Sequence, residues 1–248
     1  MNHPQYAPNL SSQIVCEKQR MHWALKAAKA IAGAKAPYDV VQLRPDPATS
    51  TVAVCAVNDK ATLAVYVDAT VCDISTQRDD VIEFDKNLLP ILIAATSNAA
   101  SHDDEVITQC GFTMEEQKVT VTDESGLSLG LEMIRVRRNT SVADIGNPLA
   151  TMERVRRQLR ESEAEEIYLL PAQLDAVTKV AKSLGGRIKI DQRTYMHESD
   201  AAKRIVASGS WWTLSVLDKP ESMTEQSGES GQKTGLRIVG SKPLGGIS

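Results

Sequence analysis

The chain has 248 residues, 42% of them apolar and 24% charged, with a formal net charge of −4. That length supports one large domain or two smaller ones, each with a sizeable core. The negative balance excludes a protein that coats nucleic acid or membrane by bulk charge, though not one with a local basic face.

The four cysteines, Cys16, Cys55, Cys72 and Cys110, are too widely spaced to form a CxxC ligand pair. They read as buried free thiols in a reducing cytoplasmic compartment. No apolar run reaches the ~18 residues of a membrane span. Residues 1–12 are polar, contain two prolines and lack the apolar centre of a signal peptide, so a loose arm is expected there.

A strand is expected at residues 14–16, followed by a helix over 17–34. On that helix Met21, Ala24, Leu25, Ala28, Ile31 and Ala32 share one side. Lys18, His22, Lys26 and Lys29 fall within about 80° of each other on the other side. Gly33 and Pro37 mark its end. Three strands follow, at 39–43, 51–57 and 61–71, the last two joined by a turn at Asn58-Asp59. The unbroken run Val52-Ala53-Val54-Cys55-Ala56 fits a strand covered on both faces.

Residues 81–136 read as a strand at 81–84, an apolar helix at 87–97, and strands at 106–108, 119–122 and 127–136. Pro90 falls in the first turn of that helix, where its missing N–H costs little. The helix is expected to be deeply buried or to form a subunit contact. A weaker copy lies about 85 positions later: a strand at 167–170, a helix at 171–184, then strands at 187–190, 204–206 and 211–217. A repeat of this length means related modules rather than a short-period solenoid. In the last strand adjacent side chains point oppositely, so one of Trp211 and Trp212 is expected in the core and the other outside.

Between the two copies, residues 139–148 read as a linker and 149–162 as a second basic helix. Met152, Val155 and Leu159 form its narrow apolar stripe, and Arg154, Arg156, Arg157 and Arg160 occupy most of the rest. Guanidinium groups in this density suit phosphate contacts, although Glu153 and Glu161 could pair with them on a solvated face. In the 171–184 helix, Lys179 and Lys182 lie away from the apolar side, and Gly185-Gly186 stops it. Residues 195–200 read as a polar loop. Residues 220–233 are rich in Ser, Gly, Glu and Gln and are expected to be disordered, before a last apolar piece at Leu236-Arg237-Ile238-Val239.

Two motifs are set aside. Gly126-Leu127-Ser128-Leu129-Gly130 matches GxSxG, but a nucleophile elbow needs a helix after the turn and none is expected here. His102-Asp103-Asp104-Glu105 reads as a solvated loop rather than a metal site.

The order strand, basic helix, three strands, then strand, helix, three strands resembles the module of DNA sliding clamps, closest to the bacterial beta clamp of DNA polymerase III and its shorter phage relatives. Residues 51–71, with Ala56-Val57-Asn58-Asp59 at the turn, carry the likeness, as do 81–92 and the hairpin at 119–131. The resemblance implies an α+β DNA-clamp fold: repeated modules of antiparallel sheet with helices on one face. It divides the chain into a complete module at 1–138, an abbreviated one at 139–219, and a flexible tail at 220–248 with a short apolar end.

The function it implies is that of a processivity factor, not an enzyme, with no cofactor and no metal. Such a protein encircles double-stranded DNA, whatever its sequence, and tethers a DNA polymerase, with a clamp loader as a further partner. The expected DNA-binding residues are Lys18, Lys26, Lys29, Arg154, Arg156, Arg157, Arg160, Lys179 and Lys182. Leu236, Ile238 and Val239 are the expected partner-binding residues. Six modules per ring would make a homotrimer, and the shortened second module leaves a dimer or an incomplete ring open. The alternatives are a self-associating scaffold, such as a viral one, that does not clamp DNA, and a regulator that reads DNA through the arginine helix.

Overall fold

Runs of β-branched and apolar residues build the strands of this protein, and one of them, β4, organises the rest. In the computed structural model, residues 12–74, 81–97, 108–115, 118–125, 131–137, 143–157, 166–197, 200–217 and 236–239 are described. The first half runs β1 (Ser12–Glu17), α1 (Lys18–Ile31), β2 (Val40–Asp46), β3 (Thr51–Val57) and β4 (Ala61–Asp73). It continues with β5 (Ile82–Asp85), a 3₁₀ turn (Lys86–Leu88), α2 (Leu89–Ala95), β6 (Gln109–Met114), β7 (Lys118–Asp123) and β8 (Leu131–Arg137). The second half holds α3 (Pro148–Arg157), β9 (Glu166–Leu169), α4 (Pro171–Leu184), β10 (Lys189–His197), β11 (Asp200–Ser208), β12 (Trp212–Leu217) and β13 (Leu236–Val239).

The 13 residues of β4 serve three partners. Along one edge it pairs with β3, from Thr51↔Asp68 to Val57↔Thr62. Along the other edge it pairs with β12 from Ala61 to Val65, then with β1 from Ala69 to Asp73. The resulting 11-stranded sheet runs β10-β11-β12-β4-β1-β6-β7-β8, with β3, β2 and β5 branching from β4. Every pairing in it is antiparallel. β13 and β9 form a separate antiparallel pair.

Alternation along the strands decides what covers each face. Val52, Val54 and Ala56 of β3 and Leu63, Val65 and Val67 of β4 join Met21, Leu25, Ala28 and Ile31 of α1 in the main core. Val177, Val180 and Leu184 of α4 and Trp212, Leu214 and Val216 of β12 belong to that same core. The residues between them, Ala53, Cys55 and Ala64, face the other way and pack against Met152 of α3. α3 therefore lies on the opposite face of the sheet from α1. Trp212, the first residue of β12, is 1% exposed, and Trp211 just before it is half-buried against the same core rather than outside it.

The two halves on either side of residue 139 share this sheet and core. The chain entering the second half is also pinned to the first. Gln42 Nε2 donates to Glu83 Oε2 (2.8 Å) and to the Ala143 carbonyl (3.1 Å), and the Ala143 N–H donates to the same Glu83 oxygen (2.8 Å). Ile145 packs with Val40 and Val57.

Some local expectations need correction. The strand before β7 is β6, starting at Gln109, whereas Thr108 lies outside any strand. Gly111 conceals β6 in the sequence, yet a side chain there would run into Thr122 Oγ1 and the Glu124 side chain, so the close approach favours glycine. The polar stretch at 195–200 is not a loop throughout, because β10 and β11 pair as far as His197↔Asp200. α2 buries only Leu89 and Leu92, and Ile91 is 51% exposed. Cys16, Cys55 and Cys110 are buried free thiols as expected, whereas Cys72 is only half-buried, and burial pushes Cys55 up to about 12, against the pull of Arg44. Arg160, the 126–130 motif, the 102–105 loop and residues 218–235 lie outside the described residues.

Candidate nucleic-acid interface

Helix α1 sets the geometry of the basic surface. Its inner side is wide because it contacts the sheet, α2 and α4 together. Lys26 is exposed and Lys29 half-buried, and Lys29 sits in the last turn, where a cation complements the helix dipole. The same end is capped by Lys86, whose ammonium donates to the carbonyls of Ala32 and of Gly33, the latter at 3.0 Å.

Two of the four residues on the expected basic side do not reach solvent freely. Lys18 is buried, and its ammonium lies 3.0 Å from Asp123 Oδ2. A cation in the first turn of a helix opposes the dipole, and Asp123, arriving from β7, supplies the compensating charge. Burial pushes the Asp123 carboxyl up, but hydrogen bonds from Ser125 and the Lys18 ammonium outweigh it and hold the group below its ordinary value. His22 is also occupied: its Nδ1 donates to the Ile93 carbonyl at 2.9 Å, tying α1 to α2. Lys18 is thus held inward, its ammonium paired with Asp123.

Helix α4 packs beside α1. The Leu170 N–H at its start donates to Gln173 Oε1 (2.8 Å), and Gly185 ends it at φ +66°, a conformation suited to glycine. Asp175, Lys179 and Lys182 form its exposed stripe, with Lys179 paired to Asp175 at 2.7 Å and Lys182 in the last turn. Lys26, Lys29, Lys179 and Lys182 are therefore brought onto one helical layer, with the Asp175 carboxylate bridged to Lys179.

The arginines of α3 are not part of that layer, because the sheet lies between. Arg154, Arg156 and Arg157 are exposed on the outer face. Arg157 is paired with Glu153 one turn earlier, and Arg156 donates to Thr213 Oγ1 at 3.0 Å. Of the expected DNA-binding residues, the described ones thus divide between two faces, Lys26, Lys29, Lys179 and Lys182 on one and Arg154, Arg156 and Arg157 on the other, with Lys18 held in its ion pair.

Sequence reasoning also missed Arg193, buried in the middle of β10. Its NH1 donates to the carbonyls of Val155 (2.6 Å) and Arg156 (2.8 Å), closing the end of α3. Nothing in the local pattern identifies a strand arginine as the cap of a helix some 40 positions earlier. Leu236, Ile238 and Val239 lie on β13, in register with Leu169, Ile167 and Glu166 of β9. Among the described residues no cluster of three His, Cys, Asp or Glu side chains is placed to hold a metal ion, and no helix is long and apolar enough to cross a membrane.

No protein-family model and no curated protein matches the sequence. Solved structures do match. The DNA polymerase III beta subunit of Borrelia burgdorferi aligns with a TM-score of 0.52 at 8% identity, over 89% of this chain and 67% of that one. The beta subunit of Thermotoga maritima gives 0.51 at 8% identity, over 86% and 67%. The sliding clamp of Pseudomonas aeruginosa gives 0.50 at 11% identity, over 86% and 67%. At these identities the likeness is one of fold, and the fold of this chain is that of the DNA sliding clamps.

Proposed function

From that fold, we propose that the protein is a sliding clamp, assembling as a homo-oligomeric ring around duplex DNA and tethering replication proteins to it. The observation that carries this reading is the α1–α4 layer: a helical surface bearing Lys26, Lys29, Lys179 and Lys182, backed by a continuous antiparallel sheet. Lysines of this kind contact phosphates without regard to sequence and exchange them readily, which favours sliding over fixed binding. A net charge of −4 is compatible with this if the acidic groups lie on the outer wall.

The work of such a ring is topological. It converts polymerase rebinding into an intramolecular event and raises its effective concentration at the template. The strand β13, apolar at Leu236, Ile238 and Val239, is the proposed docking segment for partner peptides.

The test is retention on closed circular DNA. The protein should remain on a nicked plasmid through gel filtration and be released when the plasmid is linearised, with negative-stain images showing a ring around a hole ~20 Å wide, the diameter that a B-form duplex needs. Assembly without any DNA effect would instead favour a scaffold, and discrimination between DNA sequences would favour a regulator.

A further inference from the structure

Between β12 and β1 the edge of β4 is uncovered. β12 pairs with β4 only as far as Val65, and β1 begins at Ala69. A cavity of about 600 Å³ opens at this notch, lined by Arg20, Trp23, Tyr66, Asp68, Arg156 and Trp211. Three elements and a turn contribute to it: α1, β4, α3 and the β11–β12 connection. The backbone there is fixed, since the Tyr66 N–H donates to the Trp211 carbonyl at 2.8 Å.

The walls pair guanidinium groups with aromatic rings. Arg20 lies 5.7 Å from the centroid of Trp211, and Arg156 lies 5.2 Å from that of Tyr66. Trp23 and Trp211 meet with centroids 6.5 Å apart at 50°. Glu17 (3.0 Å) and Asp68 (3.3 Å) fix the Arg20 guanidinium in place. Arg156 is held by Thr213, and among the described residues it bridges no carboxylate.

We propose that this notch binds an unpaired nucleotide of single-stranded DNA, its base against the Trp23–Trp211 wall and its phosphate on Arg156. The volume falls within the range of small-molecule sites. Half-buried aromatic rings that line a cavity can stack any base, and a guanidinium fork suits a phosphate. A base inside a duplex has no free face to offer, so the notch selects unpaired strand. An apolar peptide anchor fits less well, because the notch sets the charges of Arg20, Asp68 and Arg156 beside its rings. The notch joins the two sides of the sheet: Arg20 and Trp23 reach it from α1, and Tyr66 and Arg156 from the α3 side. This inference rests on the clamp reading for its choice of nucleic acid over other planar anions.

The experiment titrates the full chain with a short oligothymidylate, following tryptophan fluorescence and the anisotropy of a labelled strand. Saturable quenching is expected. Arg156→Ala and Trp211→Leu should each weaken binding about tenfold, the scale of one stacking contact. The buried Trp212 reports in the same spectra whether each variant is folded. Three results would overturn the proposal: no binding, binding unchanged in both variants, or binding abolished by Lys26→Glu/Lys29→Glu/Lys182→Glu but not by Arg156→Ala. Quenching by an acidic aromatic peptide with none by oligothymidylate would do so as well. Retention on circular duplex, measured in parallel, separates the two readings. Retention without oligonucleotide binding removes the notch alone. Oligonucleotide binding lost in the notch variants, without retention on circles, removes the ring and leaves the notch.

Discussion

Helices α1 and α3 look alike as sequence, each an apolar side with several basic residues around it, yet they do different work. α1 is embedded on three sides and shares a core with α4 and both arms of the sheet, so its first lysine is drawn inward and neutralised by Asp123. α3 touches the reverse of the same sheet through Met152 and Val155 and leaves its arginines on the outside. The difference teaches that basic density on a helix does not define a binding surface. The surface depends on which side of the sheet the helix covers and on what its cations already touch.

The largest effect that would break this comparison is on DNA. Lys26→Glu/Lys29→Glu/Lys182→Glu should abolish retention on circular duplex, while Arg154→Glu/Arg157→Glu should leave it in place. The slope of log affinity against log salt should become shallower by about 0.9 for each phosphate no longer neutralised. Equal losses in both variants would mean that α1 and α3 act on the same duplex, against the geometry.

Next in size is the core. Leu25→Ala removes a fully buried side chain and should cost ~3 kcal/mol in urea unfolding. Met152→Ala should cost less, because the cluster beneath α3 is small and that helix can shift.

The Lys18–Asp123 pair sharpens the contrast through pH. The folded pKa of Asp123 is lowered, so its stabilisation is present above the unfolded value, near 3.9, and is lost as pH falls through the folded value. Lys18→Met should destabilise by about 1–2 kcal/mol at pH 7, for loss of a charge-assisted bond. The gap from the unaltered protein should narrow when urea midpoints are compared at pH 3. A gap that stays constant would show that the pair contributes nothing electrostatic.

The smallest effect concerns the caps. Arg193→Met leaves two carbonyls at the end of α3 without their donor and should cost about 1 kcal/mol. Helix ellipticity should drop slightly, and hydrogen exchange should quicken in α3 but not in α1.

Much of the fold is legible in the residues. The limits of β3 and α4 follow from their runs and stops, and the repeated order of elements points to the clamp module. What escaped had no local cause. β6 is hidden because Gly111 is favoured by the approach of Thr122, a neighbour on another strand. How the expected basic residues group was not legible for the same reason. The wheel of α1 puts Lys18 beside Lys26, and only the arrival of β7 makes Lys18 an internal residue. Arg20, close to Lys18 in sequence, became a wall of the notch because Trp211 and Asp68 arrive from distant segments.

The sequence by itself determined the helices, most of the strands and their order, because hydrophobic period and turn chemistry are properties of neighbouring residues. Tertiary structure alone decided which lysines and arginines share a surface. A charge becomes part of a site through the partners that surround it, and those partners come from β4, β7 and β12, far away along the chain.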